Sequence, residues 1–332
     1  SQSEISTLLD TMQPAIFKGL TLSQENNAIQ IGQSLGYRFE DVLNKRLCNS
    51  SEKDFHLWID GFGDFLQQKN VSFQGSQQIG YDTHTGAAVI GFDARLSSFY
   101  LGVLSGYSGS TTDWNKHRGK GTIDTVYGGL YASALGKLFY GNLSILGGWS
   151  HFSGNRTLLA ADRIIVAKHH NGGAQLTSHL DTGLNFQIKG FTIRPFDAFD
   201  YICQTEGAYS EKGAGAFNLH VSKSNAIMLR NELGLQFSKC FSFQTHLISI
   251  SPKISWVREL RVKGKTYQAS LNDSLCDFTV TGYFPDRSLV SPGIMLSGSV
   301  FNNFMSFDLY YNGQYGSNYN NTNYGGQLRY GF

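Results

Sequence analysis

The 332-residue sequence predicts an all-β fold: a single closed antiparallel transmembrane β-barrel of about twelve strands, with an N-terminal α-helix in the pore. Three observations predict it. The last ten residues, NYGGQLRYGF, place Tyr324, Gly326, Leu328, Tyr330 and Phe332 on one face of a strand and Asn323, Gly325, Gln327, Gly331 and the charged Arg329 on the other. The same alternation recurs in about twelve segments, starting near His56, Asp82, Ser98, Gly121, Leu138, Gly173, Phe191, Phe217, Phe241, Ser288, Asn302 and Thr322. Most run about ten residues or more, against a usual five or six in globular proteins, and that length matches a tilted strand crossing a bilayer. Finally, charged residues are only 16% of the chain, Gly (38) and aromatics (14%) are abundant, and Pro (5) is scarce.

That composition argues against a helical or α/β enzyme. The net charge of +2 offers no electrostatic footprint for nucleic acid. No apolar run approaches the roughly 20 residues of a spanning helix, which leaves strands as the spanning element. Ser1 to Asp10 lacks a basic start and an apolar core, so an export signal is expected upstream, in a longer polypeptide. Cys48, Cys203, Cys240 and Cys276 have no metal or redox spacing and read as small, mostly apolar residues. No metal or cofactor is expected.

Residues 1–24 read as a linker. From Glu25 to Leu47 the period changes: Ile31, Leu35, Phe39 and Val42 form a narrow helical stripe among polar positions that include Arg38, Glu40, Asp41 and Lys45. Gly32 and Gly36 each cost about 1 kcal/mol against Ala, so this helix needs an enclosure. Residues 48–51 read as a turn, giving a helix-and-turn unit at 25–50 and a barrel at 51–332. Within the barrel, Leu176 to Ile188, Ile227 to Phe237 and Met305 to Tyr315 alternate most regularly, with Leu184, Leu233 and Leu309 opposed to Asp181, Glu232 and Asp308. In a membrane barrel the apolar face meets lipid and the polar face lines the lumen. Tight turns are expected at 135–138, 188–191 and 237–241, and long polar loops at 154–172, 204–216 and 261–287, short on one side and long on the other.

Six pieces in order then carry a resemblance. HLWIDGFGDF (His56 to Phe65), YDTHTGAAVIGFDARL (Tyr81 to Leu96), IRPFDAFDY (Ile193 to Tyr201), ELGLQFS (Glu232 to Ser238), ISWVREL (Ile254 to Leu260) and the terminal GGQLRYGF resemble the β-domain of monomeric (type Va) autotransporters. The chlamydial polymorphic outer-membrane proteins are one candidate subfamily, defined by repeats that would lie upstream. The resemblance implies a translocator domain that inserts in the bacterial outer membrane, exports the N-terminal passenger of its own chain and anchors it. Its implied partners are outer-membrane lipid, the barrel-assembly machinery, periplasmic chaperones and that passenger, with the domain itself a monomer. Long loops would be extracellular and the C-terminus periplasmic.

The resemblance also assigns roles. Ile31, Leu35, Arg38, Phe39, Glu40, Asp41 and Lys45 belong to a pore-plugging helix, which at 1.5 Å per residue spans roughly 35 Å. His56, Asp60, His179, Asp181, Arg230, Glu232, Asp308 and Arg329 line the lumen. Tyr324, Leu328, Tyr330 and Phe332 form the terminal signal read during assembly. Some relatives cut off the passenger with a helix Asn that cyclises on its own backbone, within an Asn-Asn-Leu-Asn-Lys-Arg run. Here DVLNKRL (Asp41 to Leu47) departs from that run, and Asn26-Asn27 lies far along the helix. Asp82 and His84 resemble the Asp-His pairs of outer-membrane proteases but lack a partner pair. No Gly-x-Ser-x-Gly elbow or phosphate loop occurs, so no catalytic residue is expected. The alternative from the pattern is a porin or adhesin barrel whose lumen or loops carry the function.

Overall fold

The computed structural model describes residues 17–47, 53–73, 76–160, 163–243, 246–263, 266–271, 277–281, 287–300 and 304–332. A 31-residue helix, α1 (Phe17–Leu47), precedes twelve long strands. These are β1 (Phe55–Gln68), β2 (Tyr81–Leu96), β3 (Phe99–Trp114), β4 (Gly119–Leu135), β5 (Phe139–Ala160) and β6 (Arg163–Leu184). They continue as β7 (Phe191–Glu206), β8 (Ser224–Phe243), β9 (His246–Lys263), β10 (Arg287–Val300), β11 (Met305–Tyr315) and β12 (Tyr319–Gly331).

Each strand pairs antiparallel with its neighbours in sequence, and β12 returns to β1 with His56 opposite Gly331 and Gln68 opposite Tyr319. The ring is therefore closed, and none of its strands is left as a free edge. Side-chain alternation then sorts the residues. Leu57, Leu130, Trp149, Leu184, Leu233 and Leu309 face outward, with Trp149 70% exposed, whereas Asp60, Asp64, Asp93, Arg230, Glu232 and Asp308 are buried on the inside. A water-soluble sandwich would show the reverse, so the apolar coat and polar interior define a membrane barrel.

Connections between β2 and β3, β4 and β5, and β6 and β7 are tight. At the last of these, Lys189 (φ 48°) and Gly190 (φ 79°) both take positive φ. That is the backbone a two-residue hairpin turn demands. At the opposite mouth, the long connections carry a small four-stranded sheet: Tyr209–Ser210, Leu219–Val221, Thr266–Leu271 and Asp277–Thr281. The start of β1 and the end of β12 share the tight-turn mouth, so α1 enters from the long-loop mouth.

Several sequence expectations are corrected. The helix begins at Phe17, eight residues ahead of Glu25, and takes in residues expected as linker; its first turns are held by tertiary contacts rather than by an apolar stripe. Residues 1–16 and the expected turn at 48–51 lie outside the described residues. The stretch 154–172 is not a loop: β5 and β6 run through it as a paired hairpin with Gly154 opposite His169 and Ala160 opposite Arg163. Its polarity misled because a strand projecting past the lipid meets water on its outer face. Likewise the turn expected at 237–241 is strand, since β8 runs on to Phe243. The segments placed near Gly173, Phe217 and Phe241 begin instead at Arg163, Ser224 and His246. Cys240 is disulfide-bonded, its partner falling outside the described residues, while Cys203 is free.

Leu233 lies halfway along β8 on the outer face. Leu233→Arg is expected to lose about 2–4 kcal/mol of stability, as for a charge facing lipid near the midplane. Guanidinium unfolding in phospholipid vesicles measures this; an unchanged midpoint would contradict the inside-out assignment.

Candidate functional site

The polar lumen is not empty. From Gly19 to Lys45 the helix α1 is buried on all faces except at Gln33 and Gly36, although only a narrow stripe of it is apolar. Ile31, Leu35 and Phe39 pack on Val89, Leu104, Tyr127, Trp58 and Phe62. The closeness of this packing needs glycine in the wall: a Cβ on Gly91 would lie 2.2 Å from the Trp58 ring, and one on Gly102 would lie 2.2 Å from Tyr131. With both rings flat against the wall, Trp58 Nε1 donates to the Tyr131 hydroxyl at 2.7 Å. Much of the remaining helix surface is polar and finds polar partners.

Those partners run the length of the helix. Near its start, Leu20 and Leu22 sit in an apolar collar with Trp114, Ile123, Phe152 and Tyr267, while the Thr21 hydroxyl contacts the Tyr267 hydroxyl at 2.8 Å and donates to Glu206 at 3.3 Å. One turn on, Glu25 pairs with Arg261 and accepts from Gln204. Asn26 donates to Asp64 at 2.6 Å, Asn27 donates to Ser110 at 2.8 Å, and Ser34 donates to Asp60, which also accepts from the Tyr310 hydroxyl. Tyr37 stacks on Tyr310 with centroids 3.7 Å apart.

The last turns hold most of the paired charges. Arg38 donates two parallel bonds to Asp93, at 2.8 and 2.7 Å, in the bidentate geometry that suits guanidinium and carboxylate. Asp93 also meets His56 at 3.1 Å and accepts from Tyr131 at 2.9 Å. Glu40 pairs with Arg194, and Asp41 lies 2.7 Å from Arg329. Among the described residues Lys45 finds no acid on the wall: it pairs with Asp41 of its own helix at 3.1 Å and donates to Ser306 at 2.8 Å.

Of the eight wall residues named from sequence, Asp60 and Arg329 reach the helix by hydrogen bond or ion pair. The others brace the wall. His179 lies 2.6 Å from Asp200, Arg230 bridges Asp200 (2.8 Å) and Glu232 (2.6 Å), and Asp181 accepts from Tyr140 and Asn142. Asp308 pairs with Arg329, and His56 supports Asp93. Tyr324, Leu328, Tyr330 and Phe332 point outward, with Phe332 stacked between Phe55 and Tyr330 at 6.1 and 6.0 Å. Sequence reasoning missed Glu25, Asp64, Asp93, Arg194 and Arg261. The signal was available: each wall residue among them sits on the same parity as the other inward residues of its strand. His84 is on the outer face, edge-on to Phe65, with no catalytic neighbour among its described contacts. Among the described residues no cluster of His, Cys, Asp or Glu could hold a metal ion.

A closed twelve-stranded barrel, apolar outside and polar within, with its own N-terminal helix bound along the pore, defines a transmembrane transport barrel of the bacterial outer membrane. The autotransporter beta-domain family model matches residues 57–312, and the chain belongs to that family as a translocator domain that exports a passenger. In fold it is similar to the translocator domain of the autotransporter NalP from Neisseria meningitidis, with a TM-score of 0.69 at 16% identity, covering 92% of this chain and 98% of that one. It is also similar to the β-domain of the Bordetella autotransporter BrkA (TM-score 0.61, 16% identity, 84% and 100% covered). The transport unit of AIDA-I from Escherichia coli gives a TM-score of 0.56 at 14% identity, with 83% and 90% covered. No curated protein matches the sequence.

The Arg38–Asp93 pair gives a test of how the helix is held. Arg38→Ala leaves a buried carboxylate without its cation, a change that costs about 3–5 kcal/mol when a buried pair is broken from one side. Amide hydrogen exchange should show that loss as reduced protection across α1 with the barrel strands unaffected. Lys45→Ala, which releases only Ser306 and a helical neighbour, should show a smaller loss. Equal protection in all three proteins would mean that the wall charge does not hold the helix.

Proposed function

We propose that α1 is a plug left in the pore once the passenger has been exported, tethering the passenger and keeping the barrel nearly closed. The observation that carries this reading is the match between a polar helix and a polar lumen at every turn, from Thr21–Tyr267 to Lys45–Ser306. At 1.5 Å per residue, the 31 residues span about 46 Å, longer than the roughly 30 Å hydrocarbon core. The barrel itself does no covalent chemistry in this reading. Closure of the ring supports a monomer, since no strand of the ring keeps a free edge to pair with a second copy. The outward row Tyr324, Leu328, Tyr330 and Phe332 is the stretch offered to the assembly machinery, with chaperones guarding it beforehand.

The same geometry supports an orientation within this reading. The long-loop mouth, where the helix starts and the four-stranded sheet sits, faces outside the cell, and both strand termini face the periplasm. Protease added to intact cells should nick 264–286; cleavage only after permeabilisation would reverse the orientation. For export, a reporter fused ahead of Ser1 should reach the cell surface. Ser34→Pro, which costs the helix about 3 kcal/mol or more, should leave the barrel folded and the passenger less firmly held. Reporter retained in the periplasm behind a folded wild-type barrel would contradict the translocator reading at this site.

One contact favours a second reading, self-release. Asn26 Nδ2 donates to the Asp64 carboxylate at 2.6 Å, and Asn26 Oδ1 accepts from Asn321 at 2.9 Å. With Asp64 taking the amide proton, Nδ2 attacks the Asn26 carbonyl carbon, a succinimide closes, and the peptide bond to Asn27 breaks as Asn27 leaves with a protonated amine. Intact-mass analysis of the purified full chain tests it: a barrel beginning at Asn27, absent in Asn26→Asp, is the expected product. An uncut chain after prolonged incubation leaves α1 continuous with its passenger and removes the reading.

A further inference from the structure

One face of the plug does not touch the wall. At Gly32 and Gly36, one turn apart, an added Cβ would meet no atom within 4 Å. They border a cavity of about 100 Å³ between the helix and the β5–β11 side of the barrel, whose wall includes Asp181, Asp200, Arg230, Glu232 and Lys253. Space of that size admits several waters. Tyr37 Oη, Arg230 Nε and Glu40 Oε1 on its border have no hydrogen-bond partner among the described residues, as expected where water completes the shell. The cavity ends at Ile29, which packs with Ala28 of the helix and with Ile202 and Met228 of the wall. Inward residues along β7 read Phe196, Ala198, Asp200, Ile202, Gln204, Glu206, so Ile202 is an apolar position flanked on both sides by polar ones. Beyond it, Glu25, Gln204 and Arg261 restore a polar lining. On another face at the same level Asn26 and Asn27 are bonded to Asp64 and Ser110, which leaves no slack there.

We infer that the ion barrier of the plugged pore is the apolar contact Ile29–Ile202–Met228, with a water-filled pocket along the glycine face leading up to it. An apolar constriction between hydrated segments blocks ions by excluding water, without needing contact along the whole plug. The glycines, costly in a helix, are what keep that pocket open. This rests on the plug reading above and locates the barrier within it.

The experiment is single-channel conductance in planar bilayers, on full-length chains whose folding is checked by heat-modifiable migration. Ile202→Ser with Met228→Ser hydrates the step while leaving the helix sequence intact. Conductance should rise, with roughly threefold or more taken as the effect to be resolved, since making a dewetted constriction polar removes the barrier to water and ions. Adding Gly32→Leu and Gly36→Leu fills the pocket, strengthens the helix, and should bring conductance back to the parent level. Should the serine pair impair folding, Ile202→Thr keeps the branched shape and carries the same expected direction. A barrel beginning at Ser51 sets the open scale. Serine variants as silent as the parent, beside an open Ser51 barrel, overturn the inference; so do leucines that leave the raised conductance unchanged. A Ser51 barrel no more conductive than the parent overturns the plug reading instead.

Discussion

Closure of the strand ring is the constraint on which the rest of this structure depends. Because β12 finds β1, no strand of the ring presents unpaired backbone to lipid, and the chain is free to turn its apolar residues outward. The polar half of every strand is thereby forced into one narrow lumen. A lumen lined with Asp60, Asp93, Arg194, Arg230, Glu232, Arg261, Asp308 and Arg329 needs partners of its own. Some of those charges pair across the wall. The remainder are answered by α1, a helix too polar and too rich in glycine to persist alone.

The binding of helix to barrel is therefore electrostatic and hydrogen-bonded at most levels, with hydrophobic contact in separate patches, among them Ile29 on Ile202 and Met228, and Val42 with Leu43 near Tyr100 and Leu135. Ile31, Leu35 and Phe39 lean on one side of the wall, and Leu20 with Leu22 lies in the collar at the long-loop mouth. Burying ion pairs carries a desolvation cost that their attraction offsets only with good geometry. The bidentate Arg38–Asp93 pair, further braced by His56 and Tyr131, has that geometry. Such pairs contribute register more than net stability: Glu25, Arg38, Glu40 and Asp41 each have one oppositely charged wall partner at one height, which fixes how far the helix can slide. In the proposed plug role, a helix held this way would be firm once seated, while its polar surface would let it pass through a wet pore before its partners lock.

Much of this was legible in sequence because a period of two is hard to disguise over ten or more residues. Leu233 against Glu232, and Leu309 against Asp308, sort to opposite faces by parity alone. The hairpin between Ile188 and Phe191 was legible too, since Lys189 and Gly190 suit a two-residue turn. Parity says which way a charge points but not what it meets, because partners come from strands far apart in sequence. Asp93 and Arg38 are 55 residues apart, and Arg261 and Glu25 are 236 apart. The wall candidates were therefore placed on strands without their pairings, and Arg194 was passed over within a motif that had been noted. The hairpin of β5 and β6 was hidden for another reason: beyond the lipid both faces of a strand tolerate polar residues, so the alternation that marks a spanning segment fades.

The central claim is that matched charge, more than apolar packing, seats the helix in the lumen, and that a helix so seated brings the proposed apolar barrier at Ile29 into place. Single-channel recording of a variant in which Arg38, Glu40 and Asp41 are replaced together by Gln, Gln and Asn tests it most directly. The account predicts frequent openings, because Asp93, Arg194 and Arg329 would then face a helix that no longer answers them, while the parent stays nearly closed. A neutralised variant as quiet as the parent would contradict it and return the seat of the helix to Ile31, Leu35 and Phe39.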